Sequence, residues 1–206
     1  MLARRFCGGT AAVAAILGSL VIGTMTEAAS RQPVLKVNGA ANPPVGHIVF
    51  CAEDPVECLP RGAGLGLELT APLWQQLNAV NLRINREVIP VTDKDLYSVE
   101  EVWALPGSYG DCEDYALLKR SRLVAAGWPT SALLVTVVFD EVGDGHAVLL
   151  AHTLQGDFVL DNKTDEIRRW YETPYQFVKR QAENDPKQWV SIGDPRWTTR
   201  ATAAAR

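Results

Sequence analysis

The chain has 206 residues, is 47% hydrophobic and carries 24 acidic against 20 basic side chains. That length and apolar content suit one globular domain with its own core. A net charge of −4 and a pI near 5.4 exclude a nucleic-acid binder, which needs a basic face.

The N-terminus reads as a targeting segment. Arg4 and Arg5 precede a short apolar stretch from Ala11 to Met25, and small residues follow at Ala28, Ala29 and Ser30. This is the pattern of a cleaved signal peptide over residues 1–29, and it implies a periplasmic or secreted protein. An uncleaved membrane anchor is the alternative, although the stretch is short for a span. Cleavage removes Cys7 and leaves Cys51, Cys58 and Cys112. In an oxidising compartment Cys51 and Cys58, which bracket a short loop, can pair, and Cys112 becomes the odd, reactive thiol. A zinc site at Cys51 and Cys58 is the weaker reading, because no second ligand pair lies nearby in sequence.

Residues 30–46, with Pro33, Pro43 and Pro44, read as a leader; residues 47–198 read as the folded domain and 199–206 as a disordered tail. His47 has no visible partner. Thr70 can cap a helix with Pro72 in its first turn, and Leu73, Leu77, Val80 and Ile84 repeat at helical spacing up to about Glu87. A polar stretch follows, then Val99 to Leu105 with Trp103, broken by Pro106-Gly107. Asp111 is placed to cap a second helix that ends at Gly127 and Pro129, with Lys119 and Arg120 on its solvated side. Three strands are then expected, over Ala132–Phe139, His146–Leu154 and Phe158–Leu160, and a further helix over Tyr175–Glu183. Helices followed by an antiparallel sheet make an α+β fold.

The chemistry gathers at the second helix. Cys112 sits in its first turn, where the dipole and free N–H groups favour a thiolate. His146 opens a strand downstream and Asp161 closes the next, so a thiol, a base and an orienting carboxylate follow in chain order. A buried structural cysteine would be the alternative, but Asp111, Glu113 and Asp114 crowd around this one. Three carboxylates there oppose the dipole and would raise the thiol's pKa. A bound cation resolves the conflict, and an all-oxygen, carboxylate-rich site favours calcium. The Cys112 backbone N–H is placed to stabilise an oxyanion, with Trp103 as a cleft residue or neighbour of a second donor. Spacing leaves two histidines open as the base. A tight turn at Gly156-Asp157 would set Asp161 across from His152, roughly 20 Å along the strand from His146, whereas a wider loop near Thr153-Leu154 would bring Asp161 to His146.

The block Gly110-Asp111-Cys112-Glu113-Asp114-Tyr115-Ala116, then Lys119, His146-Ala147-Val148-Leu149 and Leu160-Asp161-Asn162, resembles the bacterial transglutaminase-like cysteine peptidases. Trp103-x-x-Pro106 and the pair Cys51 and Cys58 fit as well, and the resemblance spans roughly residues 50–190. It implies a papain-like or transglutaminase-like core with the nucleophile at a helix N-terminus packed on an antiparallel sheet. It favours His146 over His152 as the base. It implies calcium held by Asp111 and Glu113, a periplasmic address, and protein substrates that in characterised relatives are large surface adhesins whose cleavage releases biofilm cells. An inner-membrane regulatory receptor holds some relatives inactive. The same three residues would also serve a protein-glutamine acyl transferase, and a non-catalytic calcium-binding module is the non-enzymatic alternative.

Overall fold

The computed structural model describes residues 34–62, 66–194 and 196. The expected signal segment and the expected C-terminal tail lie outside the described residues. No helix among the described residues is long and apolar enough to cross a membrane.

Among the described residues, apart from two short 3-10 helices, the α-helices and strands follow in the order β1 (Val37–Ala41), α1 (Val45–Glu53), α2 (Ala71–Glu87), β2 (Ile89–Pro90), α3 (Asp93–Tyr97), β3 (Tyr109–Gly110), α4 (Cys112–Ala125), β4 (Leu133–Phe139), β5 (Gly145–Thr153), β6 (Gly156–Leu160), β7 (Arg168–Arg169), β8 (Gln176–Gln181) and β9 (Trp189–Ile192). Seven strands form one antiparallel sheet in the order β1-β9-β8-β4-β5-β6-β7. The short β2 and β3 pair in parallel just ahead of α4.

The central strands are apolar on both faces because both are covered. Leu133, Val135, Leu149, Ala151, Phe158 and Leu160 join Leu77 of α2 and Ala116, Leu117 and Leu123 of α4 in one core. Leu134, Val138, Val148, Leu150 and Val159 pack on the other side with Trp170, Tyr175, Phe177 and Ile192. Side-chain alternation along β4 and β5 assigns odd residues to the helices and even residues to the C-terminal segment.

Several expectations change. Residues 37–41 are no leader: they form the edge strand β1 against β9, and α1 already starts at Val45, so the folded body begins ahead of residue 47. His47 is only 1% exposed, with the Trp189 indole N–H donating to Nδ1 at 3.2 Å and the Gln181 amide 3.0 Å from Nε2. Burial, aided by the Arg120 charge, lowers its pKa to about 4. The expected helix over Tyr175–Glu183 is β8, held between β4 and β9. Lys119 and Arg120 are buried rather than solvated. Arg120 donates to the backbone oxygens of Leu133 at 3.1 Å and Glu57 at 2.7 Å, tying α4 to β4 and to the disulfide loop. Cys51 and Cys58 are bonded and Cys112 is free.

The β5–β6 hairpin turns at Leu154-Gln155, between the two turns weighed from sequence: Thr153 pairs with Gly156 and Leu149 with Leu160. Gly156 takes a φ of 117°, which a side chain would strain. Asp161 therefore leaves the sheet level with Val148, one diagonal step from His146.

Candidate active site

α4 begins at Cys112 because β3 delivers the chain to it through Gly110, where a Cβ would collide with Asp114 Oδ2 at 2.7 Å. Asp111 occupies the N-cap position but makes no capping hydrogen bond. Its Oδ2 accepts the Asp93 N–H at 3.3 Å instead, while its buried Oδ1 has no hydrogen-bond partner among the described residues. The Cys112 thiol donates to Glu113 Oε2 at 3.0 Å, and Sγ accepts the Ala147 N–H of β5 at 3.4 Å. Burial pushes the thiol's pKa up, and the Glu113 charge pushes it further. Burial first, and then the neighbouring acids, oppose the help expected from the helix dipole.

His146 and Asp161 meet. Nε2 and Oδ1 are 2.9 Å apart, with both side chains 3% exposed. Asp161 is fixed further by the Lys163 N–H on Oδ1 at 3.1 Å and by the Tyr175 hydroxyl, which donates to Oδ2. Burial would raise the Asp161 pKa, but the His146 hydrogen bond, the His146 charge and Tyr175 together hold it below the usual value. The Tyr175 ring also lies edge-on to His146, with centroids 5.4 Å apart. Tyr175 was missed in sequence, where it stood at the start of an expected helix.

Cys112 and His146 line one cleft of about 480 Å³, walled by Pro44, Val45, Trp103, Asp111, Glu113, Val137 and Lys179. The Trp103 indole N–H donates to Glu101 at 2.8 Å, and its ring packs against His47 and Trp189. Trp103 is therefore a cleft wall whose donor is already engaged. A larger hollow of about 580 Å³ near Arg180 and Glu183 shares none of its lining with this cleft.

The acid cluster differs by one member from the set expected from sequence. Asp93, Asp111 and Glu113 offer carboxylate oxygens within 4.8 Å of one another. Asp114 points elsewhere and accepts the Ala104 N–H at 2.9 Å, and burial is the first of the effects that lift its pKa to about 7. Asp93 arrives from α3, where Thr92 accepts the Asp95 N–H as the cap and the Val102 N–H donates to Asp93 Oδ2. Burial raises the pKa values of Asp93 and Glu113, and the charge of Asp111 adds to both. Asp93 Oδ1 and Asp111 Oδ1 are buried with no hydrogen-bond partner among the described residues. Three hard oxygen donors, two with unfilled lone pairs, fit a divalent cation such as calcium.

The family model of the bacterial transglutaminase-like cysteine proteinases matches residues 37–197. No curated protein matches the chain. Among solved structures, Legionella pneumophila LapG aligns at 25% identity over 64% of this chain and 75% of that one, with a TM-score of 0.50. A calcium-bound form of LapG aligns at 23% identity over 60% and 72%, with a TM-score of 0.48. An EGTA-treated form aligns at 24% identity over 59% and 71%, also at 0.48.

Proposed function

The chain belongs to the bacterial transglutaminase-like cysteine proteinases, and from that membership we propose that Cys112, His146 and Asp161 form the catalytic triad of this cysteine peptidase. The observation that carries the reading is the buried His146–Asp161 pair at 2.9 Å, sharing a cleft with the free Cys112. With Nε2 committed to Asp161, Nδ1 is the ring atom that would take the thiol proton and return it to the leaving amine. Sγ would attack the substrate carbonyl, and the Cys112 backbone N–H at the start of α4 would stabilise the oxyanion. Asp161 would hold the imidazole's tautomer, with Tyr175 keeping the carboxylate in place.

Asp93, Asp111 and Glu113 are the residues we propose as calcium ligands. A bound calcium would supply the positive charge that balances these carboxylates and favours the thiolate over the thiol. Glu113 then has a double role, since the same carboxylate accepts the thiol's hydrogen bond. The family resemblance further supports an exported protein acting in the periplasm on a large surface adhesin, under an inner-membrane receptor.

The test is proteolysis of a denatured protein substrate with calcium present, read by gel and mass spectrometry. Fragments should form with the wild type and stop after iodoacetamide modifies Cys112. Fragmentation that continues undiminished in Cys112→Ala would defeat the proposal. Comparing shed surface proteins from cells with and without the enzyme tests the adhesin assignment.

A further inference from the structure

The strand ladder does not by itself hold Asp161 against His146. Pairing between β5 and β6 ends at Leu149 with Leu160, short of His146, whose strand partner is Val138 of β4. His152 and Asp157, by contrast, are set directly opposite each other by that ladder. Asp161 begins a loop instead, and a loop keeps a carboxylate within hydrogen-bond reach of an imidazole only where other contacts fix it. Two such contacts come from one residue, Lys163.

The Lys163 N–H donates to Asp161 Oδ1 at 3.1 Å, the same oxygen that meets His146 Nε2. Its Nζ donates to Asp140 Oδ2 at 2.6 Å. Asp140 is buried and directly follows β4. Its Oδ1 accepts the N–H groups of Val142 at 3.0 Å, Gly143 at 3.0 Å and Asp144 at 2.9 Å, and its own N–H donates to the Asp144 backbone oxygen at 2.9 Å. That turn ends where β5 begins, one residue ahead of His146. The contacts therefore run in a closed circuit: imidazole to Asp161, Asp161 to the Lys163 backbone, Lys163 Nζ to Asp140, and Asp140 through its turn back to His146. The Lys163 hydrogen bond is the largest effect holding the Asp140 carboxyl below the ordinary carboxylate range, and the turn's N–H groups add to it against burial. The link is thus a charge-assisted hydrogen bond, the short and strong kind.

We infer that Asp140 and Lys163 form a clasp that positions the histidine and acid of the triad, locking the β4–β5 turn that leads into His146 to the loop that carries Asp161. Neither residue lines the cleft, so both are positioning residues. Lys163 acts through its own backbone N–H on Asp161, and Asp140 acts through the turn ahead of His146. The clasp closes the end of the β5–β6 hairpin where the ladder has run out.

The clasp bears on catalysis only under the triad reading, and double-mutant cycles tell the two apart. The readout is the rate of Cys112 alkylation by iodoacetamide in the full chain with calcium present, at one pH, followed on the Cys112 peptide by mass spectrometry. Lys163→Met removes the ammonium and keeps the backbone N–H. Asp140→Asn removes the charge and keeps an oxygen for the turn's N–H groups. Each should slow alkylation about tenfold, as loss of a supporting residue commonly does. The double variant should be slowed no further than either single one, because both break the same link. Lys163→Arg, which keeps the charge, should recover most of the rate. In an Asp161→Asn background Lys163→Met should cost almost nothing more, because the residue it positions is already impaired. Wild-type rates in the single variants, a double variant slowed by the product of the two, or equal slowing in the Asp161→Asn background each overturns the inference. An Asp161→Asn protein alkylated at the wild-type rate would instead bring down the triad, and the inference with it. Circular dichroism checks folding, and should Lys163→Met fail to fold, Lys163→Gln gives the same reading.

Discussion

β5 pairs two of its histidines with aspartates: His146 with Asp161, just after β6, at 2.9 Å, and His152 with Asp157 of β6, near the hairpin turn, at 2.6 Å. They use opposite ring nitrogens, Nε2 in the first and Nδ1 in the second. The second oxygen of each carboxylate also differs in its partner. Asp161 Oδ2 accepts the Tyr175 hydroxyl, while Asp157 Oδ2 accepts the Leu35 N–H at 2.7 Å and so stitches the N-terminal segment to the sheet. The remaining nitrogen of His152 faces Glu183 at 3.7 Å, and Glu183 in turn pairs with Arg180 at 2.7 Å. His146 instead shares a cleft with a free thiol. A histidine–carboxylate pair is thus no signature by itself; these two differ in what surrounds the imidazole, a cleft with a free thiol for His146 and a second carboxylate for His152.

The largest test of that contrast exchanges the two histidines' fates. Cys112→Ala and His146→Ala should each remove turnover, by about 10⁴-fold or more if the groups act as a unit. His152→Ala should stay within about twofold, a change too small to touch the chemical step. Peptide hydrolysis by the three purified variants, with folding checked by circular dichroism, decides. A dead His152→Ala beside an active His146→Ala would reverse the assignment of the two pairs.

The carboxylates sharpen the same comparison. Asp161→Asn should lower kcat by about 10²- to 10⁴-fold, because the imidazole loses its orienting acceptor. Asp157→Asn should leave kcat nearly unchanged and lower the melting temperature instead, since Asp157 is fully enclosed and holds both His152 and Leu35. Comparable losses of kcat in both variants would mean that the hairpin is stabilised as a whole and that neither pair is special.

Calcium removal should distinguish the pairs by location. Asp93, Asp111 and Glu113 form one acidic trio at the start of α4, and among the described residues no such trio includes the carboxylates at His152. Chelation should therefore depress peptidase activity by about tenfold or more, reversibly, as loss of a supporting charge does, while the melting behaviour attributable to His152 stays as it was. Asp93→Asn should shift the calcium concentration needed for activity upward, whereas Asp114→Asn should act on stability, because Asp114 is bonded to Ala104 rather than grouped with the other acids. Calorimetry that finds equal calcium binding in the wild type and Asp93→Asn would contradict the ligand set.

Much of this site was legible in the chain. Cys112 among carboxylates, a histidine opening a strand and an aspartate closing the next were visible as residue types in order, and helix and strand periods placed their elements. What was not legible depends on contacts distant in sequence. Asp93 lies in a polar stretch whose only local sign is the Thr92 cap, and nothing local brings it to Asp111 across the Val99–Leu105 segment. Residues 176–181 pass for a helix because their strand state comes from β4 on one side and β9 on the other. Residues 37–41 look like a leader because a five-residue edge strand with mostly exposed side chains carries little apolar pattern. The hairpin register stays open in sequence because Gly156 suggests a turn residue, yet it is the first paired position of β6.

The smallest expected effect concerns protons at the structural pair. The Asp157 hydrogen bond raises the His152 pKa above its ordinary value, the charges of Asp157 and Glu183 add to that, and burial and Arg180 oppose it. A pKa raised by folding means that the fold binds the imidazolium more tightly than the imidazole. Its contribution to stability is complete below the unfolded value near 6.5 and disappears as the pH rises through the higher folded value. Replacing His152 with Gln should therefore cost about 1.5–3 kcal/mol, the usual worth of a hydrogen bond to a charged group, at pH 5.5 and progressively less toward pH 9. Thermal melts of wild type and variant across that range measure the gap directly. A gap that widens as the pH rises would show that the folded protein prefers the neutral ring, and His152 would then be no ion-pair stitch at all.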